Sequence, residues 1–162
     1  MFRQDFVGGK YSLLDNNQKP LPDYWLSLLY KQLVGTHVLN VTGALEKGRD
    51  VRIYAHCAKY PYPKGSVVLI VLNLFNTEAV VTLTDNELIN SDQDIYWLTP
   101  SPVTNITSQV VSLNGEPLNL INDVYIPELK PLVQSSNAEI KLPFRSFGFI
   151  VFKKANATAC TT

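Results

Sequence analysis

Leu21-Pro-Asp-Tyr-Trp-Leu-Ser-Leu-Leu-Tyr-Lys-Gln-Leu-Val-Gly35 decides the fold. Trp25, Leu28, Leu29 and Leu33 recur at three- and four-residue steps and form one apolar stripe of a helix. Pro22 suits the first turn, where its missing N–H would have no partner, and Asp23 puts a negative charge at the positive end of the helix dipole. Lys31 lies near the opposite end, and Gly35 can take the left-handed conformation that stops a helix. Beyond Gly35 the apolar period drops to two. His37–Val41, Val51–Cys57, Val67–Leu74, Ala79–Leu83, Ile95–Leu98, Ser108–Leu113, Ile140–Leu142 and Phe147–Phe152 read as strands. Turn clusters separate them: residues 47–50, 60–65, Asp85-Asn86, and Asn114-Gly115, whose residue types fit a type I′ hairpin. Many short strands with regular turns imply a mostly β chain built as an antiparallel β-sandwich. Before the helix, Phe2–Val7 reads as a short buried strand ending at Gly8-Gly9. One helix at the start followed only by strands looks like the tail of something larger.

Composition narrows the function classes. With 46% apolar and 17% charged residues, the 162-residue chain is globular rather than disordered. Zero net charge supplies no global field toward nucleic acid or an anionic membrane, so no nucleic-acid partner is expected. Val67–Leu72 is the longest apolar strand and is far too short for a transmembrane segment, and charged residues interrupt any signal-peptide core in residues 1–20. Three sequons, at Asn40, Asn105 and Asn156, together with two cysteines, suggest a secretory protein lacking its natural N-terminus. Cys57 and Cys160 either close a loop of 103 residues or sit as two buried thiols.

Catalytic patterns are sparse. His37 and His56 lie in no nucleophilic setting, no cluster has metal-ligand spacing, and no phosphate-cradling loop is present, so neither a metal nor a cofactor is expected. The carboxylates are scattered through loops and strand ends rather than paired. Lys59, Tyr60, Tyr62 and Lys64 place aromatic and cationic groups in one loop that could stack on a sugar; a proline-braced loop packing its tyrosines is the plainer reading.

Phe2-Arg3-Gln4, Gly8-Gly-Lys-Tyr11, Leu21–Lys31, Arg52-Ile-Tyr-Ala-His-Cys57, Ser112–Leu118, Ile126–Pro131 and the ending with Cys160 together resemble the heparanase family. That family comprises retaining endo-β-glucuronidases that cut heparan sulfate and a non-catalytic paralogue. The resemblance implies a (β/α)8 TIM barrel followed by a C-terminal β-sandwich. Residues 1–36 would then be the barrel's last strand and helix, and residues 37–162 the sandwich. The acid/base and nucleophile glutamates would both lie upstream of Met1. The full-length protein would be a glycoside hydrolase, and this fragment alone would be inactive. Without barrel partners, the apolar face of the Trp25 helix would lie bare.

The resemblance also assigns residues. Gly9 and Tyr11 match substrate contacts, and Lys10, where the family has a neutral residue, favours an acidic sugar. Cys57 and Cys160 match the family's sandwich disulfide. The partners implied are heparan sulfate or heparin and the upstream part of the same protein. The location implied is extracellular or lysosomal, with membrane association through proteoglycans. The stretch before Arg52 is strongly basic in the vertebrate enzymes but here reads Leu45-Glu-Lys-Gly-Arg-Asp50, which weakens heparin binding there. Tyr30-Lys31 and Arg52–Cys57 are more similar to the non-catalytic paralogue, whereas Arg3-Gln4 and Gly9-Lys10-Tyr11 are more similar to the active enzyme.

Overall fold

The computed structural model describes residues 5–8, 12–42 and 50–161. Helix α1 (Pro22–Leu33) begins as its sequence dictates, with Pro22 in the first turn and Asp23 beside it. It passes directly into β1 (Val34–Leu39), with no intervening loop. The remaining elements are β2 (Val51–Ala58), β3 (Val67–Asn73), β4 (Ala79–Val81), α2 (Asn86–Ile89), β5 (Gln93–Pro100), β6 (Val111–Leu113), β7 (Glu116–Pro117), β8 (Leu132–Gln134), β9 (Ile140–Leu142) and β10 (Ser146–Phe152). A 3-10 turn at Thr158–Cys160 follows.

The main sheet runs β1-β2-β3-β10-β5-β6-β7, with β8 on the free part of β5, and β4 and β9 form a separate two-stranded sheet. All named strand pairs are antiparallel. The mostly β, sandwich-like class is therefore as read from the sequence, but its two layers are unequal. The period of two explains how. In β3, Val68 and Ile70 face one side while Val67, Leu69 and Val71 face the other; Phe149 and Val151 of β10 and Tyr96 and Leu98 of β5 join the first set. Trp25, Leu29 and Leu33 of α1 pack into that first cluster. Ile140 and Leu142 of β9 pack into the second, with Trp97, Ile150 and Phe152. The central strands are covered on both faces, so they read as continuous apolar runs.

Two expectations are corrected. The α1 stripe is not bare: Trp25 is 1% exposed and Leu29 is fully buried, because the helix uses the main sheet of this same chain as its partner. Gly35 does not stop the helix in a left-handed conformation. The helix ends at Val34, whose N–H donates to the Tyr30 carbonyl, and Gly35 lies within β1. A Cβ there would stand 2.6 Å from the Cys57 carbonyl oxygen, so glycine admits the backbone of β2.

Sequence reading missed β7, β8 and α2. Asp85-Asn86, expected as a turn, instead caps α2, with Asp85 Oδ1 accepting from the N–H groups of Glu87 and Leu88. Asn114 (φ 51°) and Gly115 (φ 92°) do form the expected hairpin, joining β6 to β7. Of the expected strand Phe2–Val7, the described part makes one parallel bridge, Val7 to Leu14. No helix among the described residues is long and apolar enough to cross a membrane.

Candidate functional site

The loop containing the expected substrate contacts is closed at its base. The Leu13 and Leu14 N–H groups donate to the Phe6 carbonyl at 3.2 and 3.0 Å, and the Gly8 N–H donates to the Leu14 carbonyl at 3.1 Å. Gly8 has φ 80°, a left-handed conformation that glycine adopts without strain. Asp15 Oδ1 braces the following turn by accepting from the N–H groups of Asn17 and Lys19, each at 2.8 Å. Gly9, Lys10 and Tyr11 themselves lie outside the described residues, as does the 45–49 part of the Leu45–Asp50 stretch.

Cys57 and Cys160 are joined in a disulfide with their Cα atoms 5.3 Å apart. The bond ties the end of the chain to β2. Hydrogen bonds extend the clasp, since the Gly65 N–H donates to the Cys160 carbonyl and the Ala157 N–H to the Gly65 carbonyl. The loop at 60–65 is thereby held against the C-terminal segment.

Beneath that loop lies a polar network that residue spacing did not reveal. Lys153 Nζ meets Asp94 Oδ1 at 2.6 Å, and the Tyr62 hydroxyl donates to Asp94 Oδ2 at 3.0 Å. The Tyr62 and Tyr96 hydroxyls are 2.9 Å apart. Burial, reinforced by Tyr96 and Asp94, pushes the Tyr62 phenol far above the ordinary tyrosine value. Burial also raises Tyr96, and the Asp94 charge adds to the rise. Asp94 is thus held in place by an ion pair with Lys153 and a hydrogen bond from Tyr62. The signal available beforehand was only period two: Asp94 and Tyr96 share a face of β5.

Tyr62 and Tyr96 also line a cleft of about 390 Å³ beside the end of α1, together with Lys31, Lys59 and Tyr60. A second, apolar groove of about 540 Å³ runs between α1, β1 and β2, lined by Leu26, Tyr30, Val38, Tyr54 and Leu72 among others. Val38 there is 73% exposed.

The remaining candidates do not converge. His56 Nδ1 lies 3.1 Å from the Gly35 carbonyl, a strand contact, and His37 is exposed. Among the described residues no group of three His, Cys, Asp or Glu side chains could hold a metal ion. Asn40, Asn105 and Asn156 are all exposed. Asn105 Oδ1 accepts from the N–H and hydroxyl of Thr107, so that sequon folds on itself as a local turn.

Comparison with known proteins adds what this geometry lacks. No family model matches the chain. Among curated proteins, heparanase from Gallus gallus is 40% identical over 99% of this chain and 31% of its own length. Inactive heparanase-2 from Mus musculus is 37% identical over 99% of this chain and 29% of its own. Hyaluronoglucuronidase from Hirudo nipponia is 36% identical over 99% of this chain and 33% of its own. These relatives define the class, one that contains glycosidases. Within it, the chain belongs to the heparanase family. It spans about a third of the length of the curated relatives it matches.

Proposed function

We propose that this chain is the C-terminal part of a heparanase-like retaining glycoside hydrolase acting on heparan sulfate. The observation that carries the reading is full-length similarity to glycosidases of which the chain spans only about a third. Retaining hydrolysis needs two carboxyl groups about 5–5.5 Å apart, one donating a proton and one attacking the sugar. In a TIM barrel these lie at the C-terminal ends of strands. Both glutamates belong to the rest of the protein, and residues 1–162 alone are inactive.

In this reading residues 1–36 complete the barrel, and residues 37–162 form the supporting sandwich. Gly9 and Tyr11 line the glycan cleft: glycine lets a sugar carboxylate approach the backbone N–H groups, and Tyr11 offers a hydroxyl and a ring. Lys10 adds a positive charge suited to an acidic sugar. The apolar groove around Val38 and Tyr54 supports the presence of a further packing partner, for which the remaining two thirds of the protein is the natural occupant. The disulfide and the exposed Asn40, Asn105 and Asn156 sequons suit a secreted or lysosomal protein glycosylated at those positions.

A non-catalytic heparan sulfate-binding paralogue is the second reading, supported by an identity to inactive heparanase-2 of 37%, close to the 40% to heparanase. Incubating the natural full-length protein with heparan sulfate and sizing the products separates the two. Shortened chains support the hydrolase, and chains bound but left at full length support the binder.

A further inference from the structure

We propose that Asn114 is a deamidation site whose reaction the native fold holds back and unfolding releases. Asn114-Gly115 is the one Asn-Gly pair in the sequence. Glycine has no side chain to screen its amide nitrogen, so that nitrogen can reach the carboxamide carbon of the residue before it. Gly115 is exposed, and a Cβ on it would meet nothing within 4 Å, so water reaches the turn freely. Ring closure joins the Gly115 nitrogen to Asn114 Cγ and breaks the Cγ–Nδ2 bond. The proton from the Gly115 nitrogen ends on the departing amide nitrogen, which leaves as ammonia. Water then opens either carbonyl of the succinimide, giving aspartate or isoaspartate.

The folded hairpin restrains that carboxamide. β6 pairs with β5 from Leu98 onward and β8 pairs with it only as far as Ile95, which leaves a gap along the β5 edge. Asn114 fills the gap. Its Oδ1 accepts from the Trp97 N–H at 2.8 Å, and Nδ2 donates to the Ile95 carbonyl at 2.9 Å and the Lys130 carbonyl at 3.3 Å. The Trp97 N–H alone would steady charge growing on Oδ1 and so help the reaction. The brake is on the nitrogen: Nδ2 must gain a proton to leave, and both groups bonded to it are acceptors. The Asn114 N–H also donates to the Trp97 carbonyl at 2.8 Å, which fixes the main chain of the turn. An aspartate here can keep the left-handed backbone, φ 51°, but has no donor for either carbonyl. A chain that stays open long enough to react cannot rejoin β6 and β8 across β5, so a reversible opening becomes a permanent one.

The test follows Asn114 by peptide mapping during incubation at mildly alkaline pH. Three samples are compared: the natural protein folded, the same protein in guanidinium chloride, and a synthetic peptide of residues 110–118. The unfolded protein and the peptide should react alike, and the folded protein at least about tenfold more slowly, since only its open fraction reacts. A folded-state rate within about twofold of the peptide's would overturn the proposal. Asn114→Asp in the natural protein should lower the melting temperature by about 5 °C or more, and an unchanged value would overturn the claim of permanence. The three rates need no variant, and neither readout depends on the glycan reading.

Discussion

Removing the Cys57–Cys160 bond is the sharpest perturbation of this fold. The link spans 103 residues of sequence. In the chain-entropy model a loop of that length restricts the unfolded chain by about 4.7 kcal/mol at 25 °C. Both cysteines are buried, so Cys57→Ala with Cys160→Ala adds a transfer and cavity cost of about 1 kcal/mol. A combined loss of about 5–6 kcal/mol is comparable with the whole stability of many domains. At an unfolding entropy of roughly 2.1 cal/mol/K per residue, the melting temperature should fall by about 15–18 °C. Urea unfolding followed by tryptophan fluorescence is the assay, because Trp25 and Trp97 both leave buried sites on unfolding. The midpoint should drop, and the slope should rise, since an uncrosslinked unfolded chain exposes more surface. Reducing the wild type isolates the crosslink from the cavity. A loss below about 1 kcal/mol with an unchanged slope would refute the reasoning.

Two further perturbations probe the core and the polar network. Gly148→Ala should cost more than about 3 kcal/mol in thermal melts, because its Cβ would sit 2.1 Å from Trp97 Cε3 and 2.9 Å from the Tyr96 carbonyl. Tyr62 and Tyr96 are raised above 10.0 in the folded chain, so their contribution to stability is full below that pH and declines as pH rises above it. Tyr62→Phe should lower the neutral-pH melting temperature and flatten its alkaline decline; an unchanged alkaline slope would contradict the network's role.

The sequence made some elements plain and hid others for physical reasons. The α1 stripe and the central strands carry strong periodicity, and Asn114-Gly115 carries backbone chemistry that few other pairs tolerate, so these emerged with little error. The unequal layers were hidden because an apolar strand residue does not reveal whether a helix or a sheet covers it. Trp25 packs on this chain's own sheet for reasons of topology, not of pattern. β7 and β8 escaped because Glu116-Pro117 and Leu132–Gln134 are two and three residues long and largely exposed. The Asp94–Tyr62–Tyr96–Lys153 network joins residues up to 91 positions apart, which no local motif signals. The site proposed at Gly9, Lys10 and Tyr11 came from family resemblance; physical reading adds the Gly8 turn and the hydrogen bonds that close its loop.

The central claim is a division of labour, in which residues 1–162 complete and support a glycan-cleaving site whose two glutamates lie elsewhere in the protein. Size analysis of heparan sulfate after incubation with this chain alone, and with the chain co-expressed alongside the remainder of the natural protein, tests it most directly. The account predicts full-length glycan with the chain alone and shortened glycan with both parts together. Shortening by the 162-residue chain on its own would contradict it.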